Sequence, residues 1–307
     1  MQRVLDPAQV EAFAQRAIPR IRLPDRTTLF SIRAQRLRQL SDNHAIGDYL
    51  RLMAAVADAQ QAALSGLTTL PPSIEQIAQA RVHRMPPIHA IGWPRESRWR
   101  DVLARLCDSV AALPQFPASV GDVCERLRRT QPEQIEAQAD ALLAARTTGI
   151  DAAAAPFLMA ALQIYWVSLA SQLAVEDVAD LDVPAVCPAC GTLPVASVVR
   201  TDKRSEGYRY LHCTLCAIEW HLVRITCSHC QATKEIAYHS IEGGSQAVRA
   251  ESCDNCRTYR KILYQEQDTG VEPVADDLAS LALDLLMSEA GYHRGSGNPL
   301  LWQSPEA

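Results

Sequence analysis

Residues 187–256 read CPACGTLPVASVVRTDKRSEGYRYLHCTLCAIEWHLVRITCSHCQATKEIAYHSIEGGSQAVRAESCDNC. Four C-x-x-C pairs lie in this stretch: Cys187/Cys190, Cys213/Cys216, Cys227/Cys230 and Cys253/Cys256. The last two pairs are the first two displaced by forty residues, and twenty-two residues separate the pairs within each copy. A C-x-x-C pair can close a tight turn that aims two sulfurs at one point, so two such turns make a tetrahedral four-sulfur cage. A soft all-thiolate cage selects zinc or iron over harder cations and does not separate those two. The spacing therefore predicts two metal ions. Cys187, Cys190, Cys213 and Cys216 hold one; Cys227, Cys230, Cys253 and Cys256 hold the other.

Three other readings compete. Disulfide frameworks belong mostly to small secreted domains, and the chain opens MQRVLDPAQVEAF with no apolar segment of the kind a signal peptide carries. A thioredoxin-like dithiol calls for a lone pair near a βαβ pattern, which four tandem pairs do not resemble. A cross-braced arrangement, pair one with pair three, keeps every ligand and changes only the topology. The repeat favours sequential pairing. Closed thiolate cages leave no open coordination position for Lewis-acid chemistry. Nothing in the chain resembles a nucleophile with its base, a phosphate-cradling loop or a paired-carboxylate site. The expectation is a protein that is not an enzyme.

Working outward, each copy reads as a knuckle, a hairpin, a second knuckle and a third strand, a rubredoxin-like or zinc-ribbon unit. The strands expected are 195–200, 208–212 and 217–224, then 235–241, 246–250 and 258–264, with Gly243-Gly244 at a turn. Such a unit is too small for a good core, so metal binding supplies much of its folding energy. Glycine after a knuckle helps the backbone turn its N–H groups toward the sulfurs. Gly191 follows the first knuckle, but Ala217, Gln231 and Arg257 follow the others, and less regular knuckles are expected there.

The first 180 residues read as helices at 27–43, 47–64, 73–82, 96–113, 119–129 and 132–146, with a helix start at Asp6-Pro7 and a Pro86-Pro87 loop. Strand signals are nearly absent from this part. Residues 152–175 carry no charge. That length suits a membrane span, yet alanine dominates its start, four polar residues interrupt it and acidic residues flank it, so a buried core helix is expected. A last helix, 272–292, has an apolar stripe of Leu278, Leu281, Leu285 and Leu286, and acidic positions at Asp276, Asp277, Asp284 and Glu289. Cys107 and Cys124 read as small buried hydrophobes, and Arg126, Arg128 and Arg129 as a solvated helix face. His212, His221 and His229 lie near ligand cysteines, but four thiolates already complete each cage.

The fold class that follows is α+β. A helical domain (1–182) precedes two tandem rubredoxin-like/zinc-ribbon modules (183–225 and 226–268) and a C-terminal helix and tail (269–307). The chain carries a net charge of −5. Residues 183–268 hold ten Lys/Arg and nine Asp/Glu. Each divalent ion with four thiolates adds −2, so the module surface turns negative and would repel phosphate backbones. No nucleic-acid partner and no membrane span are expected.

Three stretches carry a resemblance. They are RAQRLRQLSDNHAIGDYLRLMAAVADAQ at 33–60, the four-knuckle run from Cys187, and EPVADDLASLALDLLMSEAGY at 272–292. In this ordered combination the chain resembles the formate dehydrogenase accessory proteins of the FdhE type. The resemblance implies a cytoplasmic maturation factor that contacts the formate dehydrogenase catalytic subunit, and rubredoxin-like iron at the four-cysteine sites, with zinc the alternative from the residues alone. Within the same maturation, an iron-dependent redox or sulfur-transfer protein is the second reading.

Overall fold

The computed structural model describes residues 18–146 and 148–301; the helix start expected at Asp6-Pro7 lies outside them. Local chemistry sets several helix boundaries. Leu29–Ser41 (α1) and Gly47–Ser65 (α2) pack as a pair. Ile74–Val82 (α3) starts at a capping box, in which Ser73 accepts from the Gln76 N–H and Gln76 reaches back to the Ser73 N–H. Arg98–Ala111 (α4), Ala118–Arg129 (α5) and Pro132–Leu143 (α6) follow, the last with proline at its first position.

Ala155–Ala170 (α7) is the core helix expected within 152–175, and Met159 is its one residue not fully buried. It is buried on nearly every side because α2, α4 and α6 surround it. No helix among the described residues is long and apolar enough to cross a membrane.

The strands are Ile21–Arg22 (β1), Pro194–Val199 (β2), Arg209–Cys213 (β3), Glu219–His221 (β4), Ile236–His239 (β5), Val248–Cys253 (β6), Thr258–Tyr264 (β7) and His293–Arg294 (β8). Each copy of the repeat forms an antiparallel three-stranded unit, β2–β3–β4 and β5–β6–β7. The two units share one sheet. β2 pairs with β7 in parallel, with Ser197 opposite Ile262, and the order is β1-β4-β3-β2-β7-β6-β5. Arg209 makes this joint specific. It is fully buried, donates to Ser197 on β2 and, at 2.7 Å, to Glu251 on β6, so one side chain ties the two copies together.

β1 was missed because two residues carry no periodicity. It adds to the first unit by pairing with β4, with Ile21 opposite Trp220. The expected helix 272–292 is broken into Pro273–Ala279 (α8) and Leu281–Glu289 (α9). Ser280 breaks it: its hydroxyl donates to the carbonyls of Asp276 at 2.7 Å and Asp277 at 3.2 Å, and its backbone leaves helical geometry at ψ 35°.

The break overturns the expected stripe. Leu285 and Leu286 are 68% and 49% exposed, whereas Asp276 and Asp277 are 2% and 0% exposed. The acids are inside because each meets a cation there. Asp276 pairs with Arg36, and Asp277 with Arg294, with Lys261 beside it.

Candidate metal centres

The eight cysteines gather into two groups along the sequential pairing, Cys187, Cys190, Cys213 and Cys216 in one and Cys227, Cys230, Cys253 and Cys256 in the other. In each group the sulfurs lie within 4.8 Å of one another. Across the first group Cys187 Sγ is 3.5 Å from Cys216 Sγ and Cys190 Sγ 3.4 Å from Cys213 Sγ; both such distances in the second are 3.7 Å. All ten cysteines are free thiols. A tetrahedron with metal–sulfur bonds of about 2.3 Å has edges of about 3.8 Å. The sulfurs thus stand close to the spacing that one zinc or iron ion requires, and the cross-braced arrangement does not occur.

Backbone geometry explains how the knuckles form. The residue after each pair is left-handed in all four: φ is 78° at Gly191, 57° at Ala217, 65° at Gln231 and 54° at Arg257. The three non-glycine knuckles are therefore turned like the first, against expectation. The reason is that each loop is closed by its first cysteine: the Cys187 N–H donates to Thr192 O, the Cys213 N–H to Ile218 O and the Cys227 N–H to Ala232 O, and Cys253 pairs with Thr258 in the sheet. N–H groups aimed at sulfur complete the turns, from Leu215 and Cys216 to Cys213 Sγ and from His229 and Cys230 to Cys227 Sγ.

Gly191 answers to a second demand. A Cβ there would stand 3.1 Å from His89 Nε2 and 3.4 Å from Pro86 Cγ. The 86–91 segment lies across the first knuckle, with the Ile88 N–H donating to Ala189 O and the Ala90 N–H to Cys190 O. A left-handed residue with a Cβ costs about 1–2 kcal/mol. Gln231→Gly is therefore expected to raise unfolding free energy by about 1 kcal/mol, and Gly191→Ala to lower it by more than that. Urea denaturation of the metal-loaded protein checks both signs.

The two centres differ in cover. All four sulfur-bearing residues of the first are buried, under the 86–91 segment, whereas Cys230 and Cys256 of the second are half-buried. Thr192 places its hydroxyl 3.1 Å from Cys190 Sγ and 3.0 Å from Cys213 Sγ; the second centre has Asn255 donating to Cys230 Sγ at 3.4 Å. Burial opposes the Cys230 thiolate, but the Ala232 N–H and Asn255 outweigh it and bring the thiol down to about 6. Metal binding needs thiolates, so protons compete as pH falls. The half-buried sulfurs admit a competing ligand, so a chelator at neutral pH is expected to strip one equivalent well before the other, the first released coming from the second centre. Metal release followed in Cys227→Ser and Cys187→Ser backgrounds assigns the two phases.

No histidine joins either group. His212 Nδ1 is 3.1 Å from Glu219 Oε1, and His221 lies edge-on between Tyr208 and Tyr210. Burial works against ionisation of Glu219, yet Arg200 and His212 outweigh it and hold its carboxyl far below the usual range. Cys107 and Cys124 are fully buried on α4 and α5, and Arg126, Arg128 and Arg129 pair with surface carboxylates.

The two cysteine-free stretches quoted above meet in space. Arg33 donates to Glu272 at 3.0 Å, Arg36 to Asp276 at 2.9 and 2.7 Å, and His44 Nε2 lies 2.8 Å from Ala279 O. Arg33 also reaches Gln163 of α7, whose amide donates to Thr214 O between two cysteines of the first centre. A buried polar chain thus runs from α8 through α1 and α7 to the second knuckle. Sequence reasoning missed it and the role of 86–91, because neither leaves a spacing signature.

Family models match consecutive segments: FdhE, N-terminal, over residues 18–182; FdhE, central domain, over 186–224; and FdhE, C-terminal domain, over 225–301. The chain belongs to the FdhE family. It is 43% identical over 281 residues to the Protein FdhE homolog of Edwardsiella ictaluri, covering 91% of this chain and 90% of that one. It is 38% identical to Protein FdhE of Escherichia coli over 286 residues, covering 93% and 92%. The crystal structure of the FdhE protein from Pseudomonas aeruginosa superposes with a TM-score of 0.79 at 40% identity, over 92% of this chain and 99% of that one. For an FdhE protein, the chain thus pairs a helical N-terminal region with two four-cysteine groups that could each hold a metal ion.

Proposed function

We propose that the protein is a non-catalytic maturation factor for formate dehydrogenase, acting in the cytoplasm on its catalytic subunit. The eight cysteines serve it as ligands of two ions, iron or zinc. The observation that carries this reading is the fusion of both four-sulfur groups into one sheet, which is tied by buried ion pairs to the helical region. Closed cages on a rigid sheet suit presentation of a surface better than turnover of a substrate. The helical region, the two ribbons and the C-terminal helix are proposed as its domain units. All of them act as one body, because β2–β7 pairing and the Arg33–Glu272 bridge cross the unit boundaries.

The second reading is iron-based electron or sulfur transfer in the same maturation. The half-buried sulfurs of Cys230 and Cys256 favour it. Deleting the gene should abolish formate dehydrogenase activity, and wild-type protein should restore it and co-purify with the catalytic subunit. Intact activity in the deletion strain, with no recovered subunit, would contradict the client assignment. Full complementation by a zinc-only, colourless protein would remove the electron-transfer reading.

A further inference from the structure

Arg260 of β7 is 4% exposed, and among the described residues no carboxylate pairs with it. Its guanidinium meets three neutral oxygens instead. Nε donates to Ser228 Oγ at 2.9 Å, and Nη1 donates to Ser296 Oγ at 2.8 Å and to Pro194 O. Gly295 packs so close that a Cβ there would stand 2.8 Å from Nη2. The neighbouring acids are already held, Glu251 by Arg209 and Asp277 by Arg294 and Lys261. Burial, with Arg209 and Arg294 beside it, brings the guanidinium down only to about 10, so it is charged at neutral pH. A buried charge without a partner is costly.

The oxygens that Arg260 touches show where its countercharge lies. Ser228 sits inside the third knuckle, between Cys227 and Cys230. Pro194 stands opposite Cys213 in the β2–β3 pairing, two residues after Thr192, whose hydroxyl touches the sulfurs of Cys190 and Cys213. The guanidinium is thus hydrogen-bonded to the loop of one sulfur group and to the strand beside the other. Four thiolates around a divalent ion leave a charge of −2 at each centre. Two such centres in one sheet repel each other, and a cation set between them attracts both. We propose that Arg260 is the shared counter-ion of the two centres, a residue that helps to hold both ions by its charge. The inference rests on the reading of the eight cysteines as ligands of two ions, and not on the identity of a client.

The full metal-loaded chain is titrated with a chelator at neutral pH, and the affinity of each ion is read from the competition. Arg260→Gln keeps a hydrogen-bonding side chain and removes the charge, so it should weaken both ions by about tenfold to a hundredfold. Arg260→Lys keeps the charge and loses the planar fork, so both ions should stay within about threefold of wild type. A residue that merely braced the fold would leave Arg260→Lys no better than Arg260→Gln. Ser228→Ala removes one hydrogen bond and leaves the charge in place; it too should stay within about threefold, and it keeps the test open should Arg260→Gln fail to fold. Equal weakening by Arg260→Lys and Arg260→Gln, a loss of about tenfold in Ser228→Ala, weakening of one ion alone, or full retention of both by Arg260→Gln would each overturn the proposal. A wild-type chain that holds fewer than two ions would instead remove the metal reading, and the proposal with it.

Discussion

Replacing Cys187 and Cys213 together with serine is expected to cost the protein one metal equivalent and its cooperative fold. The first centre sits where the 86–91 segment, the core helix and the sheet meet. The 86–91 segment hydrogen-bonds to its first knuckle, Gln163 of the core helix donates to Thr214 of its second, and its sulfurs belong to the main buried cluster. Apparent binding free energies of structural zinc are about 10–16 kcal/mol in small finger peptides, against a typical domain stability of about 5–15 kcal/mol. Losing this ion therefore removes an amount comparable to the whole stability. The matching pair Cys227→Ser and Cys253→Ser should also lose one equivalent but retain a cooperative thermal transition. That centre is the less buried of the two, and its β6–β7 strands stay held by β2 and α8. Metal analysis with far-ultraviolet circular dichroism melts distinguishes the two. Equal collapse of both variants, or equal tolerance, would contradict the unequal roles.

The second large effect falls on Arg33. Arg33→Met should lower unfolding free energy by about 3–5 kcal/mol, because it leaves Glu272 charged and unpaired at 4% exposure. Glu272→Leu should cost at least as much. Its second oxygen caps α8 by accepting from the Val274 and Ala275 N–H groups at 3.0 and 2.7 Å, so the helix start is lost with the ion pair. The double variant should recover a large part of the Arg33→Met loss, since no lone charge then stays buried. Urea denaturation of the cycle reads the coupling directly. Additive losses would show that the bridge is not what holds α1 to α8.

The metal groups were legible because a C-x-x-C turn is local chemistry repeated at a fixed offset. The helices were legible because caps such as Ser73 and starts such as Pro132 and Pro273 act within one turn. What stayed hidden is non-local. No window around Ser197 announces a parallel pairing with Ile262, and nothing near Pro86 announces that it covers a knuckle a hundred residues on. The acidic face of the last helix was misplaced for the same reason. Asp276 and Asp277 look like solvent positions until Arg36, Lys261 and Arg294 arrive from three distant elements. At Ala217, Gln231 and Arg257 the residue type was a poor guide, because loop hydrogen bonds impose a left-handed backbone that glycine would adopt more easily.

The central claim is that eight thiolates form two separate four-sulfur centres in one sheet. Metal counting combined with X-ray absorption on the wild-type protein, purified without oxygen, tests it most directly. Two ions per chain are predicted, each with four sulfur neighbours at about 2.3 Å and no nitrogen or oxygen in the shell. One ion per chain, a mixed sulfur–nitrogen shell, or disulfide-linked cysteines in the native protein would contradict it.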